Sequence, residues 1–245
     1  MLACLALGAC VANSSGPRPA SLPDASPPFT ADLAGTVLEF VPAPGSDLEL
    51  QGTTTIGPWA SRSTDIHGRV ILDADEAALG RFFSQIEAAA ANDRGAGPPP
   101  LPTLPVRSPP IANISVPVMS LRGSSSAMDR DMHNALKAAQ HPEIEYTFQQ
   151  LQAATLQRGP EDDRYVLKLR IAGKLNMAGA DRPITMDVIV RRDPRGHFLA
   201  HAQATLLMSD FGVTPPVAAF GLIKAGDRVL AVFDLDLVES TRPHR

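Results

Sequence analysis

Catalysis would have to come from histidines, carboxylates or thiols, so these residues are placed first. Of six histidines, His197 and His201 are the closest pair. Four residues of extended strand separate them by ~13 Å, too far to share a metal ion. His133 and His141 flank an expected helix and read as surface or capping groups. Asp210 stands beside Phe211, but a loop aspartate usually accepts hydrogen bonds from nearby backbone N–H groups. Both cysteines, Cys4 and Cys10, fall within the first ten residues, so what folds after them has neither a disulfide framework nor a thiolate nucleophile. No G-x-S-x-G, H-E-x-x-H, P-loop or G-x-G-x-x-G motif occurs. Neither an enzyme nor a metal site is expected.

The chain has 245 residues, 44% apolar and 20% charged, with a formal net charge of -4, which fits one globular domain plus tails. Without a basic run, and with 5% aromatics, it lacks both a phosphate footprint and stacking platforms, so nucleic acid is excluded as a partner. The apolar run Met1 to Ala12 is too short to span a bilayer but is similar to the end of a secretion signal. Leu7-Gly8-Ala9-Cys10 resembles a bacterial lipobox, with Cys10 as the lipid anchor. Val11 to Leu33 is rich in Ser, Pro and Ala and reads as a flexible tether. The expectation is a signal remnant and tether over 1–33 and one domain over 34–240, exported to the periplasm or held on a membrane of the cell envelope as a lipoprotein.

Within the domain the apolar period is mostly two. Alternation predicts strands over Thr36 to Val41, Asp47 to Gly52 (Leu48, Leu50), Gly52 to Trp59 and Thr64 to Leu72 (Ile66, Val70). A helix follows over Asp73 to Ala91, with Asp73 and Glu76 as its capping box, and then a stiff, extended proline-rich linker or surface loop to Pro110. Strand returns at Ala112 to Leu121 (Ile114, Val116). A second helix, Met128 to Ala139, carries the stripe Met128, Met132, Leu136 and stops at His141-Pro142. The remainder alternates almost to the end: Ile144, Tyr146, Phe148; Leu167, Leu169, Ile171; Met186, Val188; Phe198, Ala200, Ala202, Ala204; and Val229 to Leu237 with Phe233.

About nine strands joined by short connections predict an all-β, antiparallel up-and-down barrel with two inserted helices, because closure removes unpaired edges; an open sandwich is the alternative. A barrel of this size is either filled by its own side chains or holds one small ligand. Ala200, Ala202 and Ala204 leave room that Leu or Phe would fill, unless a bulky neighbour takes it.

Three segments, in order, resemble the YceI-like family of polyisoprenoid-binding domains: Met132 to Ile144, Gly173 to Ile184 with its G-x-L-x-x-x-G hairpin, and Met208 to Val213. The resemblance covers roughly Thr36 to Val238 and implies a lipocalin-like barrel whose lumen holds an apolar lipid, a polyisoprenoid or quinone-like tail, for sequestration or transport. It places along that ligand Leu48, Leu50, Ile66, Val70, Ile114, Val116, Ile144, Tyr146, Phe148, Leu167, Leu169, Ile171, Met186, Val188, Phe198, Ala200, Ala202, Ala204 and Phe233. Phe211 would stand at a barrel mouth and Met128, Met132 and Leu136 at a portal. Beyond that lipid no cofactor is implied. The segment 73–110 departs from the family as an insertion, and Gly57 stands where the family carries a histidine. The other reading is an envelope scaffold with a filled core and no ligand; the oligomeric state stays open, a homodimer included.

Overall fold

The structure is a computed structural model that describes residues 36–91, 98–159, 165–218 and 222–240; the expected signal, lipobox and tether lie outside them. Eleven strands form it: β1 (Thr36–Pro42), β2 (Asp47–Thr54), β3 (Gly57–Ser63), β4 (His67–Ala74), β5 (Ile111–Pro117), β6 (Glu143–Arg158), β7 (Tyr165–Met177), β8 (Ala180–Arg192), β9 (Phe198–Leu207), β10 (Val217–Ala218) and β11 (Ile223–Glu239). Every ladder between them is antiparallel. The first four strands form one long hairpin kinked in the middle. β1 pairs β4 and β2 pairs β3 across the tight turn at Thr55-Ile56, so β1 with β2 is one stave and β3 with β4 the next. Then β5 to β9 and β11 follow in sequence order, and β11 returns to β1 and β2. With β10 outside the ring, that is a closed up-and-down barrel of eight staves.

The kinks leave gaps in the ladder that side chains repair. At Ala43 to Ser46 the ring loses strand geometry, yet Ser46 Oγ accepts from Asp236 N–H at 3.0 Å and donates to Asp236 O at 3.2 Å. Ala43 N–H also donates to Asp236 O, at 2.7 Å, so the β11 backbone is not left unpaired. In the other stave, the strand expected over Thr64 to Leu72 begins only at His67, because Thr64 to Ile66 form the bend. There Ser63 Oγ accepts from Asp65 N–H and shares a 2.6 Å hydrogen bond with Ser120 Oγ.

Two bulges in β6 explain why alternation in the sequence stops at Phe148 although the strand runs to Arg158. Register shifts between Phe148 and Gln150 and between Leu151 and Ala153 change which residues face inward. Across from it, β7 and β8 meet in a two-residue turn, with Ala178 at φ 52° and Gly179 at φ 82°, the left-handed pair that matches strand twist. Gly173 has a different reason to be glycine. It faces inward opposite Phe148, and the Tyr146 ring lies across it, so an added Cβ would overlap Tyr146 Oη and the Thr147 carbonyl.

The two helices sit at opposite ends of the barrel. At the lower end α1 (Glu76–Ala91) turns Leu79, Phe82, Phe83 and Ile86 onto Leu38, Phe40, Leu156, Tyr165, Leu167, Phe198 and Leu237, the lower inward positions of the staves. Its cap is Asp75, whose Oδ1 accepts from Ala78 N–H at 2.8 Å, rather than the expected Asp73. Asp73 instead pairs with Arg107 and its carbonyl accepts from Arg107 N–H. The proline-rich segment therefore folds back on β4 instead of standing off as a surface spacer: Leu104 and Pro105 are buried and Val106 bridges Ala74.

At the upper end α2 (Ser126–Ala135) starts at Ser125, whose Oγ accepts from Met128 N–H. It ends before the expected Ala139 because Lys137 turns left-handed at φ 55°. His133, expected at the surface, is buried beneath α2 with Nε2 3.0 Å from the Leu121 carbonyl.

Gly173→Ala is expected to lower stability by about 1–3 kcal/mol, since Tyr146 must leave its seat. Urea unfolding measures it; an unchanged midpoint would show that the ring has another place to go.

Candidate functional site

At the upper end the barrel does not close on itself. α2 lies over the opening, and beneath it is a cavity of about 670 Å³, within the range of small-molecule pockets. Its walls are Leu50 from β2, Trp59 from β3, Met177 from β7, Leu206 and Met208 from β9 and the turn after it, and Val229 from β11. Met128, Met132 and Leu136 of the α2 stripe form the roof. Ile56, Gly57, Pro58, Pro216 and Ile223 make the rim, so the position where the family carries a histidine holds only Gly57 backbone here. Charge is confined to Asp131, with Ser124 and Ser125 as neutral polar neighbours. Such a wall grips by apolar area and offers few directional bonds.

Below the cavity the expected lumen positions fall into distinct layers. Leu48, Ile66, Ile114, Val116, Ile144, Tyr146, Met186, Ala202 and Ala204 are buried in the upper core, with Phe148, Ile171, Val188 and Phe233 packed on it. Leu167 and Phe198 belong to the lower core, and Val70 and Leu169 lie against it. Among all these positions Leu50 alone lines the upper cavity, together with the three portal residues. Phe211, expected at the rim, is 2% exposed on the short helical turn Met208–Phe211 and packs into the upper core. A second cavity, about 860 Å³, lies beside α1; Leu167, Val190, Ala200 and Leu235 line it, and so do the charged Glu87, Arg192 and Asp193.

Among the described residues, four buried polar atoms in the upper half have no hydrogen-bond partner: Trp59 Nε1, Ser61 Oγ, Glu143 Oε2 and Tyr146 Oη. Burial pushes the Tyr146 phenol up to about 12, so it remains a neutral donor at physiological pH rather than a base.

On the outer face, His197 Nδ1 shares a 2.8 Å hydrogen bond with Asp236, and His201 Nδ1 a 2.7 Å one with Asp234. Each histidine is thus held by a β11 carboxylate outside the barrel, away from the upper cavity. The backbone-bonding role expected of Asp210 belongs to Asp227, which accepts from Ser209 N–H at 2.8 Å and Ser209 Oγ at 2.6 Å. Those two bonds hold the Asp227 carboxyl below its ordinary range. Among the described residues no group of three His, Cys, Asp or Glu side chains is placed to hold a metal ion.

Sequence reasoning passed over Trp59, Met177, Leu206, Met208 and Val229 as site residues. The signal was there for Leu206, Met208 and Val229, which continue inward alternations; what was missing was the knowledge that the open space lies at the upper ends of the strands.

The fold has solved relatives. A polyisoprenoid binding domain from Saccharophagus degradans aligns with a TM-score of 0.52 at 11% identity, covering 84% of this chain and 100% of that one. BcnA of Burkholderia cenocepacia aligns with a TM-score of 0.50 at 12% identity, covering 79% and 96%. At such identities the likeness concerns the fold. No curated protein matches the chain. A family profile, the YceI-like domain, matches residues 45–237, and with most of its barrel inside that match the chain belongs to the YceI-like domain family.

Proposed function

We propose that this protein binds an apolar lipid, a polyisoprenoid or quinone-like tail, in the cavity beneath α2, and that it sequesters or carries that lipid in the bacterial cell envelope without chemical change. The observation that carries the reading is the cavity wall: Leu50, Trp59, Met132, Leu136, Met177, Leu206 and Val229 enclose about 670 Å³ with charge only at Asp131. The Saccharophagus degradans relative, described as a polyisoprenoid binding domain, supports the same ligand class. The driving force is removal of apolar surface from water, on the order of 3 kcal/mol gross per enclosed isoprene unit at about 0.8 kcal/mol per methylene-sized group. Ordering a flexible tail offsets part of it. The methionines of the roof suit such a ligand, since an unbranched thioether side chain adapts to irregular shapes.

Trp59 is the only tryptophan and lines the cavity, so its fluorescence reports occupancy directly. Titration with farnesol or a short-tailed quinone should change its emission saturably, and native mass spectrometry should show one lipid per chain. Met132→Asp, which sets a carboxylate in the apolar roof, should weaken binding by at least roughly tenfold. A chain that takes up neither ligand would refute the reading. Membrane attachment through Cys10 is a separate proposal. Cys10→Ser, expressed with its signal, should move the protein from the membrane to the soluble envelope fraction, and unchanged partitioning would count against lipidation.

A further inference from the structure

The mouth of the cavity under α2 is apolar on its outside as well as its inside. The three most exposed large apolar side chains among the described residues are Leu222 at 77%, Ile56 at 75% and Val217 at 57%, and all three stand at this mouth. One exposed aliphatic side chain needs no explanation, but several gathered at one place mark a surface that meets something other than water.

Pairing between distant parts of the chain gathers them. Ile56 is in the tight turn between β2 and β3, Val217 is in β10 and Leu222 immediately precedes β11. The two tips are laced together: Thr55 N–H donates to the Lys224 carbonyl at 3.0 Å, Thr55 Oγ1 donates to the Leu222 carbonyl at 2.9 Å, and Val217 lies opposite Lys224 in the β10–β11 ladder. The result is one prong held by its own hydrogen bonds. Ile56 also lines the cavity, as do Pro58, Pro216 and Ile223 beside it, so the exposed patch is continuous with the apolar wall.

The prong is nearly free of charge. From Thr54 to Pro58 and from Pro215 to Ala225 the sequence holds no carboxylate and a single cation, the exposed Lys224. The next acid along β11, Asp227, is taken up by Ser209 N–H and Ser209 Oγ. Aliphatic tips with a lysine behind them and no acid between match a bilayer surface, where hydrocarbon lies beneath a layer of phosphates. A tail that leaves a bilayer through water exposes all the apolar area that the cavity would cover, and a mouth seated in the interface removes that cost.

We propose that this prong seats the cavity mouth on a lipid bilayer, with Ile56, Val217 and Leu222 dipping below the headgroups and Lys224 at the phosphates, so that the ligand passes between membrane and cavity without crossing water. The proposal rests on the lipid-binding reading and adds to it the place where the lipid is loaded.

The test is flotation of the full chain with vesicles of phosphatidylcholine and phosphatidylglycerol at 3:1, beside titration with farnesol in solution by Trp59 fluorescence. The chain carries Cys10→Ser throughout, so that no attached lipid holds it on the vesicles. Val217→Ser combined with Leu222→Ser removes two of the three tips; neither residue lines the cavity, so farnesol affinity in solution should stay as before. Vesicle partitioning should fall at least roughly tenfold, and uptake of farnesol preloaded in vesicles should slow by a similar factor. Lys224→Glu should weaken partitioning roughly fivefold on the 3:1 vesicles and much less on phosphatidylcholine alone. Unchanged partitioning and uptake in the double variant would overturn the docking surface. So would a dimer in sedimentation velocity that the double variant abolishes, since the patch would then be an interface between copies. A chain that binds farnesol in solution but does not float refutes docking and leaves the lipid reading standing, whereas absence of farnesol binding removes both.

Discussion

Closure of the hydrogen-bond ring is the constraint on which the rest of this structure depends. Each strand carries a row of N–H and C=O groups on both edges, and β11 satisfies its second edge by pairing with β1 near its end and with β2 farther up. One strand thus seals against two halves of a kinked stave, and at the kink the Ser46 hydroxyl is what takes up the Asp236 N–H. Once the ring is sealed, inward and outward faces are determined along every strand, and the apolar face has nowhere to go but inside.

Sealing the ring leaves two open ends, and the protein treats them differently. The lower end receives α1, whose apolar face is rich in phenylalanine and whose position is held by stacking and by Arg192. The upper end receives α2, whose inner face is Met128, Met132 and Leu136 over empty space. Aromatic rings in contact make a rigid stopper, whereas flexible thioethers over a cavity make an adaptable roof. The asymmetry gives the barrel two unlike ends, an apolar cavity under α2 and an aromatic cluster on α1.

Much of this was legible in the residues. Period-two alternation marked most staves, the stripe Met128, Met132, Leu136 marked α2, and the G-x-L-x-x-x-G hairpin carried the family resemblance that the profile match bears out. The hairpin also has physical reasons: Gly179 serves the left-handed turn, and Gly173 makes room for Tyr146. Where alternation failed, the failures have local causes. The bulges in β6 hid its second half, and the bend at Thr64 to Ile66 hid the boundary between β3 and β4. Asp73 stood at capping distance from Glu76 and yet caps nothing, because Arg107 claims it from across a proline-rich segment whose return path the sequence does not state.

By itself the sequence determined which faces are apolar and that the folded part has no thiol, since those depend on residue types and on spacing along one chain; that the first four strands merge into two staves, giving eight rather than about nine, came from the fold. Only the tertiary structure decided where the empty space lies. Ala202 and Ala204, which promised room, are buried in a packed core, while Trp59, Met177 and Val229, from staves far apart in the chain, enclose the cavity. A cavity is a difference between the volume that closure encloses and the volume that side chains from every stave fill, and no single strand carries that sum.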